Sequence, residues 1–263
     1  MKNSTQNKFD LAPMLLKKTL LHRNIAPLWL GTHQIDVNHW VLPKPFIIRL
    51  HSIRKKIIRR YLAFHKIQVT SYGGAGTTTL CKYLSACNAG LPQISDGDWS
   101  PWKHMSRPPA DRTVRENFRA IYLISHPGEA LLSVFRRGLQ HWHIQRMDGD
   151  LTNWDFSWNL DDFLMVKSDL FGFYSQFMGW TESKRNYPIL IIKYECLWDH
   201  IPEFVDFSGL PSRYESDFPT KIPRASKFEN QSFRIQDSIK SIFRELFEDF
   251  ESFPDWQIKE PEA

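Results

Sequence analysis

Cysteine is scarce in this chain, and the little there is does not pair. Cys81, Cys87 and Cys196 leave one thiol over in any pairing. Six positions on a helix put Cys81 and Cys87 on different faces. Count and spacing argue against a disulfide framework or a cysteine metal cage, and make a reducing cytoplasm the expected home. Long apolar runs are also missing. No uninterrupted stretch reaches the roughly 18 residues that a membrane-spanning helix needs. The segment from Met14 to Leu21 is interrupted by Lys17 and Lys18 and runs into no cleavage-like site. Internal repeats and low-complexity tracts are absent. Acidic residues are rare at the start: residues 1–66 hold thirteen of the 34 basic residues but two of the 29 acidic ones. That segment therefore carries +11 and the remainder −6. Such polarity fits a partner with an anionic surface, or the acidic remainder of the same chain.

What is present describes a globular protein. Its 263 residues are 42% hydrophobic and 14% aromatic, enough for one main domain with an appendage. We divide it into a basic N-terminal extension, residues 1–65, packing on the core, and an α/β domain, residues 66–263. Scattered prolines (Pro13, Pro27, Pro43, Pro45) predict short helices and loops at the start. Phe46, Leu50, Ile53, Ile57, Tyr61 and Phe64 then recur at helical spacing, flanked by Arg54, Lys55, Lys56, Arg59 and Arg60. This amphipathic basic helix suits a core contact, and peripheral contact with a membrane is the alternative.

Three short apolar runs read as buried strands: residues 66–72, "AIYLI" from Ala120, and "PILIIKY" from Pro188. A helix from about Thr77 to Ala89, capped by Gly90, follows the first. Another runs from Pro127 through "GEALLSVFRR" to Gly138, and "IPEFVDFSG" gives a third. Buried strands alternating with helices predict a central parallel sheet with helices on both faces. Aromatic-rich connections, Asp98–Pro109 and Trp142–Trp180, are either core packing or the walls of a ligand cleft.

The chemistry concentrates in "YGGAGTTT", Tyr72 to Thr79, between a strand and a helix. Gly73, Gly74 and Gly76 let backbone N–H groups turn inward and a phosphate approach. The following helix N-terminus adds partial positive charge, and Thr77 and Thr78 add hydroxyl donors. A tight strand-to-helix turn with glycines for steric reasons accounts for the same pattern. A nucleotide-hydrolysing loop carries Lys and then Ser or Thr after its last glycine. Here Thr77 stands at the lysine position, and "AIYLI" ends in Ser125 and His126 rather than a metal-binding Asp.

These pieces resemble the PAPS-dependent sulfotransferases, members of the P-loop nucleoside triphosphate hydrolase-like fold. Their loop, approximately Tyr-Pro-(Lys/Arg)-Ser-Gly-Thr-Thr, is matched at Tyr72, Gly76, Thr77 and Thr78. Their Arg-Asp-Pro and a serine six residues on are matched by Pro127 and Ser133. Their Lys-Thr-His-Leu-Pro segment resembles "KHMSRPP", with Lys103 and His104. Tyr194 and Glu195 stand where the family has Tyr-Glu-Asp, "FGFYSQFMGW" resembles the aromatic segment before it, and "PRASK" places Arg224 near a C-terminal basic motif. The pieces follow in the family's order over residues 66–235.

The resemblance implies transfer of a sulfuryl group from PAPS to a hydroxyl or amine on a small-molecule or glycan acceptor, with no metal and no nucleic-acid partner. The implied cofactor contacts are Tyr72, Gly73, Gly74, Ala75, Gly76, Thr77, Thr78, Ser125, Ser133, Tyr194 and Arg224. His104 is the implied base, with Lys103 assisting; His126 is a rival base. Two departures remove positive charge: the loop cation falls at Gly74 and the arginine for the 3′-phosphate at Ser125. Lys103, Arg107 and Arg224 are the candidates to replace it. Rival readings are a catalytically silent PAPS binder and a P-loop nucleotide kinase.

Overall fold

In the computed structural model the described residues are 66–87, 89, 101–147, 149–155, 157–225 and 227–262. The N-terminal extension, its basic amphipathic helix, Gly90 and the first part of the Asp98–Pro109 segment lie outside them. The first strand, β1 (Ile67–Thr70), is buried throughout and ends in the glycine turn, after which α1 (Thr77–Ala86) begins. A 3-10 turn, Pro101–His104, precedes β2 (Arg119–Ile124). Next comes α2 (Pro127–Arg136), with Pro127 in its first turn and the ring of His126 accepting from Glu129 N–H. Proline has no N–H to lose there, and the cap satisfies one that the helix cannot. Gly138 closes this segment at φ +64°.

The chain continues through α3 (Gln140–Arg146), α4 (Leu160–Val166) and α5 (Phe173–Thr181). Asn159 and Asp162 cap α4 reciprocally. After β3 (Ile189–Lys193) and a 3-10 segment, Tyr194–His200, come α6 (Ile201–Phe207), α7 (Phe233–Ile242), α8 (Arg244–Ser252) and β4 (Trp256–Lys259).

The strands lie in the order β1-β2-β3-β4. β1 pairs parallel to β2 and β2 parallel to β3, but β4 runs antiparallel to β3. The sheet is therefore mixed, which corrects the expected all-parallel sheet. β4 is four residues long and only half covered, so its sequence lacks the apolar run that marks the other strands. The first helix also ends at Ala86, short of Ala89.

Strand β2 divides the core, because alternate side chains face opposite sides. Ala120, Tyr122 and Ile124 join one apolar cluster with residues of α2, α5 and α8. Ile121 and Leu123 join the other, with Leu80 and Leu84 of α1 and Phe204 and Val205 of α6. Helices thus cover both faces. Fully burying each large apolar side chain contributes about 1.5–3 kcal/mol. The aromatic connection is mostly packing: Trp154, Phe163, Phe171, Phe173, Phe177 and Trp180 are all buried. Trp180 stacks on Tyr122 at 5.2 Å.

That packing positions the site. Trp180 Nε1 and Gln176 Nε2 each donate to the carbonyl of Met105 at 2.8 Å. Met105 N–H donates to Thr70 Oγ1 at 3.2 Å, and Ser71 N–H to the Lys103 carbonyl at 2.7 Å. The 3-10 turn is thereby tied to the end of β1, directly beneath the glycine loop.

Candidate functional site

The loop leaves β1 at Ser71, whose hydroxyl bonds to Thr77 Oγ1 at 2.6 Å and accepts from Gly73 N–H at 3.1 Å. One hydroxyl thus ties the loop's entry to the start of α1. Gly73, Gly74 and Gly76 have φ of +102°, +66° and +72°, values that strain any residue with a side chain. Space adds a second reason. A Cβ at Gly73 would lie 2.5 Å from the His143 ring, at Gly74 2.8 Å from Ala130 Cα, and at Gly76 2.4 Å from the Tyr194 ring. Three elements therefore close on the loop through its glycines. Among the described residues, the N–H groups of Gly74, Ala75, Gly76 and Thr77 donate to no acceptor. Together with the N-terminus of a ten-residue helix, they form a turn able to accept an anion.

The cation that the loop's own sequence lacks comes from elsewhere in the chain. Lys103 Nζ donates to Thr78 Oγ1 at 3.1 Å, although 25 residues separate them. Lys103 is fully buried, so its ammonium faces the loop rather than solvent. A buried ammonium is weakly screened and acts at full strength on a neighbouring anion.

His104 lies beside it, 2% exposed. Its Nδ1 is 2.9 Å from the carbonyl of Ser71, an acceptor, so Nδ1 carries the hydrogen and Nε2 the lone pair. Among the described residues that Nε2 has no hydrogen-bond partner. Burial, and then the nearby His143 and Arg146, hold the imidazole well below its ordinary pKa. It is therefore neutral at pH 7. His143, whose Nδ1 sits 3.0 Å from the Leu139 carbonyl, packs its ring 4.5 Å from that of His104. Arg146, one turn along α3, is also buried. Lys103, His104, His143 and Arg146 form a buried basic floor under the loop. Sequence reading passed over His143 and Arg146; their i, i+3 spacing, which puts two basic side chains on one helix face, was the available signal.

Arg224 closes the other side. Its Nη1 donates to the Gly74 carbonyl at 3.0 Å, its Nε meets Glu129 at 2.8 Å, and its Nη2 meets Glu195 at 2.9 Å. The guanidinium also lies over the Tyr194 ring, 4.5 Å from its centre. Two carboxylates thus share this cation, and Glu129 enters the site without having been anticipated. Ser133, half-buried on α2, faces Gly74. Tyr194 covers Gly76.

Two further expected contacts are fully buried side chains. Tyr72 is fully buried, stacked on Phe173 at 5.1 Å, and its hydroxyl accepts from Ser125 N–H at 2.8 Å. Ser125 is equally buried, and its Oγ has no partner among the described residues. Arg107 is exposed and lies against Gly179 of α5 rather than at the loop.

His126, the rival base, serves as the cap of α2 and is enclosed by the rings of Phe228, Phe247 and Phe250. Burial, then Arg224, push its pKa down to about 4. The unfolded chain binds a proton near pH 6.5 and the folded one only near 4, so falling pH favours unfolding across that window. His126→Asn keeps a capping side chain without the titration. It is expected to shrink the fall in melting temperature between pH 7 and pH 5; an unchanged fall would assign it to other groups. The buried carboxyl of Asp169, raised to about 6, works in the opposite direction in both proteins and cancels in the comparison.

The chain matches no family model, no curated protein and no solved structure. Among the described residues, no helix is long and apolar enough to cross a membrane, and no three His, Cys, Asp or Glu side chains converge as a metal site.

Proposed function

We propose that this protein transfers a sulfuryl group from PAPS to a hydroxyl or amine acceptor. The observation that carries the reading is the ammonium of Lys103 on the hydroxyl of Thr78, which returns a cation to a glycine loop that lacks one. In this reading the loop amides and Thr77 and Thr78 hold the 5′-phosphosulfate. Lys103 stabilises the charge that grows on the leaving phosphate oxygen.

The chemistry balances without redox change. The acceptor oxygen bonds to sulfur as the bond from sulfur to the 5′-phosphate oxygen breaks, releasing PAP. The acceptor proton passes to Nε2 of neutral His104. In this reading Ser133, which faces Gly74, contacts the 3′-phosphate. Arg224 joins it by exchanging a carboxylate for phosphate.

A second reading, binding of PAPS without turnover, is favoured by one observation: His104 is 2% exposed and its basicity is depressed. A thermal-shift assay with a transfer assay separates the readings. Stabilisation by PAP without metal supports PAPS binding, whereas stabilisation only by ATP with Mg2+ would replace it with a nucleotide kinase. Labelled PAPS offered with a panel of acceptors then decides turnover; tight PAP binding with neither transfer nor slow hydrolysis leaves the silent binder.

A further inference from the structure

One turn beyond Ser133, α2 borders a cleft of about 500 Å³ that the nucleotide reading does not use. Among the described residues its charged lining is Arg136 and Lys227, with no carboxylate. Its polar lining is otherwise four carboxamides, Gln140, Asn159, Asn230 and Gln231. Leu132, Phe135 and Leu160 supply an apolar wall.

Each feature narrows the ligand. Two cations select an anionic group. Carboxamides both donate and accept, as ring hydroxyls do, and so match a polyol better than a chain of one polarity. Gln140 sharpens this point: its Nε2 donates to the Trp158 carbonyl at 3.4 Å, while its buried Oε1 has no partner among the described residues. That oxygen requires a donor, which a ring hydroxyl supplies and an ionised carboxylate does not. Phe135, half-buried, offers a ring against the apolar face of a sugar. Lys227 is 3.5 Å from Glu229, an exposed pair of the kind worth little, so a ligand carboxylate or phosphate competes readily for it.

We infer that this cleft binds an anionic polyol of one or two rings, a sugar acid or a sugar phosphate, at a site separate from the glycine loop. The inference stands on the cleft's own lining and does not depend on the donor being PAPS.

The test titrates the full chain at fixed ionic strength with four probes, glucuronate, glucose 6-phosphate, glucose and inorganic phosphate. Calorimetry gives affinity, and saturation-transfer NMR shows which protons of the sugar are in contact. Glucuronate, glucose 6-phosphate or both are expected to bind at least tenfold tighter than glucose and than inorganic phosphate; the two arms tell carboxylate from phosphate. Arg136→Glu, on an exposed side chain, is expected to lower that affinity at least tenfold, and Gln140→Met at least threefold. Melting temperature and PAP affinity should both stay unchanged in the variants. Equal binding of glucose or of bare phosphate overturns the inference, as does no binding or no effect of Arg136→Glu. Displacement of the sugar by PAP also overturns it, since the cleft would then belong to the nucleotide. If PAP fails to bind while glucuronate binds, the proposed function falls and the cleft stands.

Discussion

Lys103→Met is expected to weaken PAP binding about 10- to 100-fold, with an unfolding transition still cooperative in urea. The methionine keeps the length and apolar character of the stem, so the change removes the charge and its donors. A hydrogen bond to a charged group contributes about 1.5–3 kcal/mol, which at 1.4 kcal/mol per tenfold gives that range. Isothermal titration of PAP and pyrophosphate in parallel makes the comparison sharp, because both present the oxygens that Lys103 would meet. Lys103→Arg separates charge from fit. A guanidinium restores the charge but not a compact ammonium in a fully buried position. An affinity for PAP unchanged in Lys103→Met would show that the bond to Thr78 is architecture, and the proposed function would lose its main support.

Gly73→Ala is the second large effect, expected to lower stability by about 2–6 kcal/mol. Two contributions add. A φ of +102° lies beyond the left-handed well, and holding an alanine there costs about 1–3 kcal/mol. The new Cβ would also lie 2.5 Å from a buried histidine ring whose Nδ1 is held near the Leu139 carbonyl, and overpacking of that kind costs about 1–3 kcal/mol. Gly138→Ala is the internal control. Its φ of +64° is also positive, but nothing lies within 4 Å of the added carbon. It should cost about 1–2 kcal/mol from backbone conformation alone. Denaturant midpoints of the two variants therefore divide strain from collision. If both lose the same stability, His143 yields freely and the buried basic floor is looser than described.

The sequence exposed those features that have a local chemical cause. "AIYLI" and "PILIIK" are apolar on both alternations, and both became buried strands. Pro127 and Gly138 bracket α2 because proline and glycine restrict or free the backbone wherever they stand. The glycine loop was visible for the same reason. β4 was not: four residues at a sheet edge need no apolar pattern of their own when the partner strand supplies the ladder. The meeting of Arg224 with Glu129, Glu195 and the Gly74 carbonyl also left no trace, since the partners are 95, 29 and 150 residues away from it. His141 and His143, two residues apart, leave their helix in different directions. The two do part company: the His141 ring accepts from Trp154 Nε1, while His143 faces His104 and Gly73. Spacing reveals that two side chains diverge, and only the fold reveals what each one meets.

The antiparallel fourth strand also sets a timetable for synthesis. Its partners in β3 leave the ribosome 64 to 70 residues before it does, as the pairs Ile192 with Trp256 and Ile189 with Lys259 require. Throughout that interval one flank of β3 offers unsatisfied amides and carbonyls to any neighbouring nascent chain. Translation speed and chaperone occupancy over those codons, rather than the strength of the finished core, would then govern how much of the protein escapes aggregation.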